Sequence, residues 1–164
     1  MRRRSFLLGL ALATGGGLSG QTAGGLVRVE AGITPLRLVR GQEGKVLLKV
    51  VVKSGLSISP HPSFTIEFEP SEILVFPKPF FSATDLDAEV VTIDGRQVLS
   101  FKKPLQVPFT VAARAPRGVH VLTGKVGFYA VSRAEGWCRK GAVRFRATYS
   151  TRTALVSPDI QIRP

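Results

Sequence analysis

From Leu26 onward the chain runs in short stretches of β-branched and aromatic residues separated by Gly, Pro, Ser and Asp, with no sustained helical period. Strict alternation is clearest in Phe64-Thr65-Ile66-Glu67-Phe68 and in Val143-Arg144-Phe145-Arg146-Ala147, where apolar and polar side chains take opposite faces. The pattern predicts strands at Leu26–Glu30, Lys45–Lys53, Phe64–Glu69, Ile73–Phe76, Glu89–Ile93, Gln97–Lys102, Gln106–Ala113, Val119–Ala130, Ala142–Tyr149 and Asp159–Arg163. Between two of them, Asp94-Gly95 supplies the positive φ angles of a tight hairpin. So many short strands with frequent turn signals predict an all-β chain, an immunoglobulin-like β-sandwich rather than a closed barrel. Prolines at 60, 62, 70, 77 and 79 crowd the middle, and 77–88, with Phe80 and Phe81 side by side, is the most loop-like stretch. Such a ring pair is either a contact surface on the loop or a plug in the core.

The first residues follow another logic. Arg2-Arg3-Arg4, an apolar stretch from Phe6 to Ala13 and a Gly- and Ser-rich tail form an export leader ending near Ala23, and Arg3-Arg4-Ser5-Phe6-Leu7 fits the twin-arginine pattern. An ordinary secretory signal with a basic start is the alternative. The expected organisation is therefore a signal peptide at 1–23 and one domain at 24–164, soluble outside the cytoplasmic membrane in the periplasm or a similar compartment. No later apolar run is long enough to form a membrane-spanning helix.

Of 23 basic residues, three lie in the leader, leaving 20 against 11 acidic ones. The remainder is strongly basic, which favours acidic partners. Yet Arg28, Arg37, Lys45, Lys49, Lys53, Arg96, Lys125, Arg144, Arg146 and Arg152 are scattered singly, without the dense run or interleaved aromatics of a nucleic-acid interface.

Candidate chemistry centres on the single cysteine, Cys138, in Gly136-Trp137-Cys138-Arg139-Lys140-Gly141. An exported cysteine with no intramolecular partner is either a reactive thiol, as two adjacent cations favour, or a buried hydrophobe. It also offers a route to a disulfide-linked dimer. His61 and His120 with Cys138 make a sparse copper-type ligand set, but no histidine follows Cys138 and the only methionine is Met1, so surface imidazoles are the better reading. No nucleophile elbow occurs, and Asp85, Asp87, Glu67 and Glu69 read as solvated surface. No motif demands a cofactor.

Two stretches carry a resemblance. Val107-Pro108-Phe109-Thr110-Val111-Ala112-Ala113 with Ala115-Pro116-Arg117-Gly118 and Leu122-Thr123-Gly124-Lys125-Val126 precedes Tyr129-Ala130-Val131-Ser132-Arg133-Ala134-Glu135-Gly136-Trp137-Cys138. The second resembles the pattern Y-x-x-C-x-x-x-G-aromatic-C of the N-terminal domain of the thiol:disulfide interchange protein DsbD, with Tyr129, Gly136, Trp137 and Cys138 in register. The resemblance implies an immunoglobulin-like sandwich that exchanges disulfides with thioredoxin-like partners, with Cys138 at the position that forms the mixed disulfide. It also implies that Ser132 replaces the other cysteine, and that an aromatic cap loop, with Phe80 or Phe81 as candidates, covers the site. Tyr129, Trp137, Phe80 and Phe81 are then the binding residues, and the partner acts in trans. Without a second thiol, capture survives while turnover is in doubt. The competing expectation is a non-catalytic immunoglobulin-like module that has lost the redox pair and docks a partner through its loops.

Overall fold

The computed structural model describes residues 25–60 and 64–153. The leader expected at 1–23, His61 and the strand expected at Asp159–Arg163 lie outside them.

Within the described residues the protein is an all-β sandwich without helices. In chain order the strands are β1 (Val27–Thr34), β2 (Arg37–Val39), β3 (Glu43–Val52), β4 (Leu56–Ile58), β5 (Thr65–Phe68) and β6 (Leu74–Val75). They continue as β7 (Phe80–Ser82), β8 (Glu89–Ile93), β9 (Arg96–Ser100), β10 (Leu105–Val111), β11 (Gly118–Ser132) and β12 (Trp137–Arg152). One sheet has the order β1-β3-β10-β6 and the other β2-β12-β11-β5-β7, with β4 added to β11; β8 and β9 form a separate hairpin. The chain changes sheets near the cis Thr34–Pro35 bond: β1 pairs antiparallel with β3, and β2 pairs parallel with β12. Four strands facing a sheet centred on β5, β11 and β12 make the immunoglobulin-like layout.

The pleat builds the core. β10 alternates buried and exposed residues along its length, and Val143, Phe145, Ala147 and Tyr149 of β12 meet Leu122, Val126, Phe128 and Ala130 of β11 on the inner face. Aromatic contacts then bridge the layers. Phe68 of β5 stacks on Phe76, just past β6 of the other sheet, at 4.1 Å and meets Phe145 edge-on at 5.8 Å, while Phe76 meets Phe109 of β10 at 6.0 Å. Phe145, Phe109 and Phe128 lie over their direct cross-strand partners Gly124, Gly44 and Gly141, where an added Cβ would stand 2.3, 2.5 and 2.7 Å from the ring. Each glycine makes room for a ring, so the apparent gaps in the apolar alternation belong to the core.

Pro108 sits in β10 opposite Lys45, but β6 reaches only Thr110 and Val111, so its missing N–H falls where β10 has an open side. The loop expected at 77–88 is corrected, since Phe80–Ser82 forms β7 against β5. Phe81 is buried and Phe80 is 54% exposed. Alternation over three residues is too short to mark a strand, and the same holds for β2 and β4, which the sequence pattern also misses. By contrast β11 and β12 outrun their predicted bounds, with β4 pairing along Ala130–Ser132 at one end and β2 along Ser150–Arg152 at the other.

Candidate functional site at the ribbon tip

The β11–β12 ribbon closes at the pair Ser132–Trp137, leaving Arg133-Ala134-Glu135-Gly136 as the turn. Gly136 has φ 68°, a left-handed conformation that glycine adopts without a Cβ penalty. The Ser132 hydroxyl accepts the Glu135 N–H at 3.3 Å, and the side chain is 5% exposed. Ser132 is therefore committed to the turn.

Register fixes what the tip presents. Cys138 faces Val131 and Lys140 faces Tyr129, all on the outward side, whereas Ser132 and Trp137 face each other on the inward side. Cys138 is exposed and is the one cysteine of the chain, so no intramolecular disulfide exists. Because Ser132 pairs with Trp137 and not with Cys138, positions 132 and 138 point to opposite faces of the ribbon.

The β8–β9 hairpin comes down beside this tip. Asp94 and Gly95 form its two-residue turn with φ 48° and 77°, as the sequence predicts for Asp-Gly. Arg133 holds the hairpin, donating to the Asp94 carboxylate and, at 2.7 Å, to the Ile93 carbonyl. Between the two turns lies an open cleft of about 580 Å³ lined by Asp94, Arg96, Ser132, Arg133, Trp137 and Cys138, among others. Its Trp137 wall is braced on both sides: the indole N–H donates to Glu135, and the Arg139 guanidinium lies 4.6 Å from the ring centre. Of the two cations that follow Cys138 in the sequence, Arg139 is engaged by the indole ring, while Lys140 is exposed on the outward side with Cys138.

Phe80 and Phe81, the candidates for an aromatic cap, lie away from the tip. Phe80 and Phe81 pair with Glu67 and Ile66 on β5, and Ile66 in turn faces Val126. That is two strands across and about 17 Å down the ribbon from Val131 at roughly 3.3 Å per residue. Phe81 packs edge-on against Phe68 in the core. The structure brings together Ser132, Trp137 and Cys138, sets Tyr129 half-buried on the outward face beside them, and leaves Phe80 and Phe81 elsewhere. What sequence reasoning missed is Asp94, Arg96 and Arg133. The Asp-Gly turn was visible, but no local pattern tells where a hairpin will dock.

His120 belongs to the other end of the ribbon. It faces Tyr149, whereas Cys138 faces Val131, about 36 Å away along the strand. Its Nε2 lies 2.8 Å from the Thr151 hydroxyl and 3.0 Å from the Pro116 carbonyl, so the imidazole is used in packing. Tyr149 beneath it is buried, which pushes its phenol above the usual value against a hydrogen bond from Ser71 that pulls the other way. No cluster of three metal-ligating side chains occurs among the described residues, nor any helix long and apolar enough to cross a membrane.

No family model and no curated protein matches the chain.

Proposed function

We propose that the protein is an extracytoplasmic partner-docking domain akin to the N-terminal domain of DsbD, whose tip engages a thioredoxin-like protein through the single thiol of Cys138. The observation that carries this reading is the exposed Cys138 on the rim of a cleft between two turns, beside the braced Trp137. A thiol there is accessible to a disulfide on a partner surface. Its thiolate attacks one sulfur of that disulfide, forms the mixed disulfide and expels the other sulfur as a thiolate. With one cysteine in the chain, only the expelled partner thiolate or an outside thiol reverses the step. Cys138 thus captures and releases without transferring an electron pair.

The test uses the folded protein without its leader and a thioredoxin variant with one cysteine, activated as a mixed disulfide with thionitrobenzoate. Attack by Cys138 releases coloured thionitrobenzoate. The expected result is protein–protein disulfide formation faster than reaction with free dithiobis-nitrobenzoate once each is scaled to glutathione, and slowed by Trp137→Ala. Equal scaled rates, indifferent to Trp137→Ala, overturn it. Capture would then give way to a second reading, a non-catalytic docking module, which the commitment of Ser132 to the turn favours.

A further inference from the structure

The basic residues that look scattered along the sequence are gathered by the pleat. Lys140, Arg144, Arg146 and Arg152 are all exposed and all point outward from β12. Arg37 joins them from β2, opposite Ser150. The ion pairs among the described residues involve other cations, such as Lys125 with Glu67 and Arg133 with Asp94, so none of these five is neutralised by an acidic neighbour. From Lys140 to Arg152 the row runs about 40 Å at roughly 3.3 Å per residue.

We propose that this row is a docking surface for a linear acidic polysaccharide laid along β12, an inference independent of the chemistry of Cys138. Charge complementarity selects the class of partner. Three of the four outward cations on β12 are arginines, whose planar guanidinium donates two parallel hydrogen bonds to a carboxylate or sulfate. The geometry selects the shape. The unpaired charge follows β12, with Arg37 beside its end, because outward Lys125 of β11 is paired with Glu67 of β5, and that carboxylate would meet an anionic bilayer laid flat on this face. A single-stranded nucleic acid calls for a series of stacking rings, yet β11 and β12 present only one outward, the half-buried Tyr129 opposite Lys140, while Trp137, Phe145 and Tyr149 of β12 sit on the inward parity.

The experiment measures retention of the leader-free protein on immobilised polygalacturonate at near-physiological salt. Anionic phosphatidylglycerol vesicles and oligo-dT serve as the other two probes. Arg144→Glu combined with Arg146→Glu is compared with Lys102→Glu combined with Lys103→Glu, which changes net charge equally at an exposed loop off the row. Arg144→Gln with Arg146→Gln replaces the first pair if charge reversal disturbs folding. The expected result is a loss of affinity of roughly tenfold or more for the row variant and a several-fold smaller loss for the control, as removal of specific ionic contacts predicts. Equal losses for both, absence of binding by the parent protein, or tighter binding to vesicles or oligo-dT than to polygalacturonate overturns the proposal.

Discussion

Two glycines three residues apart on β11 make a paired test of how the ribbon is packed. A Cβ added at Gly124 would lie 2.3 Å from Cζ of Phe145, 2.9 Å from its Cε1 and 2.8 Å from the backbone oxygen of Glu67. The ring is buried and touches Phe68, and the carbonyl belongs to the neighbouring strand, so neither gives way freely. Overpacking of this kind costs about 1–3 kcal/mol, and the backbone clash places Gly124→Ala toward the upper end. Set against it is a gain of about 0.5–1 kcal/mol from replacing a strand glycine, for a net loss of about 1–2 kcal/mol. At Gly127 the same Cβ meets only the Thr65 hydroxyl at 2.9 Å, a group that can rotate away. Gly127→Ala should therefore lie within about 0.5 kcal/mol of the parent, on the stabilising side if anything. Urea unfolding with equal m-values reads both differences as midpoint shifts. Equal midpoints for the two variants would refute the idea that Phe145 is seated in the space over Gly124.

Ser132→Cys tests the register at the tip. Because positions 132 and 138 point to opposite faces, the variant should form no intramolecular disulfide on air oxidation of the folded protein, and a quantitative one seen by mass spectrometry would refute the pairing. Asp85 gives a pH prediction. Its carboxyl is held down to about 2 from the ordinary 3.8, first by a hydrogen bond from the Lys78 ammonium and then by the N–H and hydroxyl of Ser82. A depressed acid stabilises its surroundings above the ordinary value and releases them as pH falls through the lowered one, so the 78–85 turn should loosen between about pH 4 and 2. Amide shifts of Ser82 and Asp85 should follow that midpoint and lose it in Asp85→Asn; a midpoint at the ordinary value would refute the contact.

The tip and the basic row show which parts of such a site a sequence can carry. Alternation predicts the long strands because burial on one face is a period-two signal repeated over many residues, as in β10 and β12. Asp94-Gly95 predicts its turn because the φ requirement is local. A motif spacing, however, does not settle face. Between 132 and 138 lie five residues, and whether the ribbon closes on four or five of them decides whether the two side chains meet or point apart; here Gly136 takes the left-handed position, four residues form the turn, and they point apart. The same pleat works in reverse on β12. Arg144 and Arg146 are separated in the sequence by Phe145, which makes them look isolated, but that buried ring is what holds both arginines on the outer face in one line with Lys140 and Arg152. Exchanging Phe145 for a residue that leaves the core would therefore disturb the basic row as well as the packing over Gly124. The outer surface of this sheet depends on its inner one.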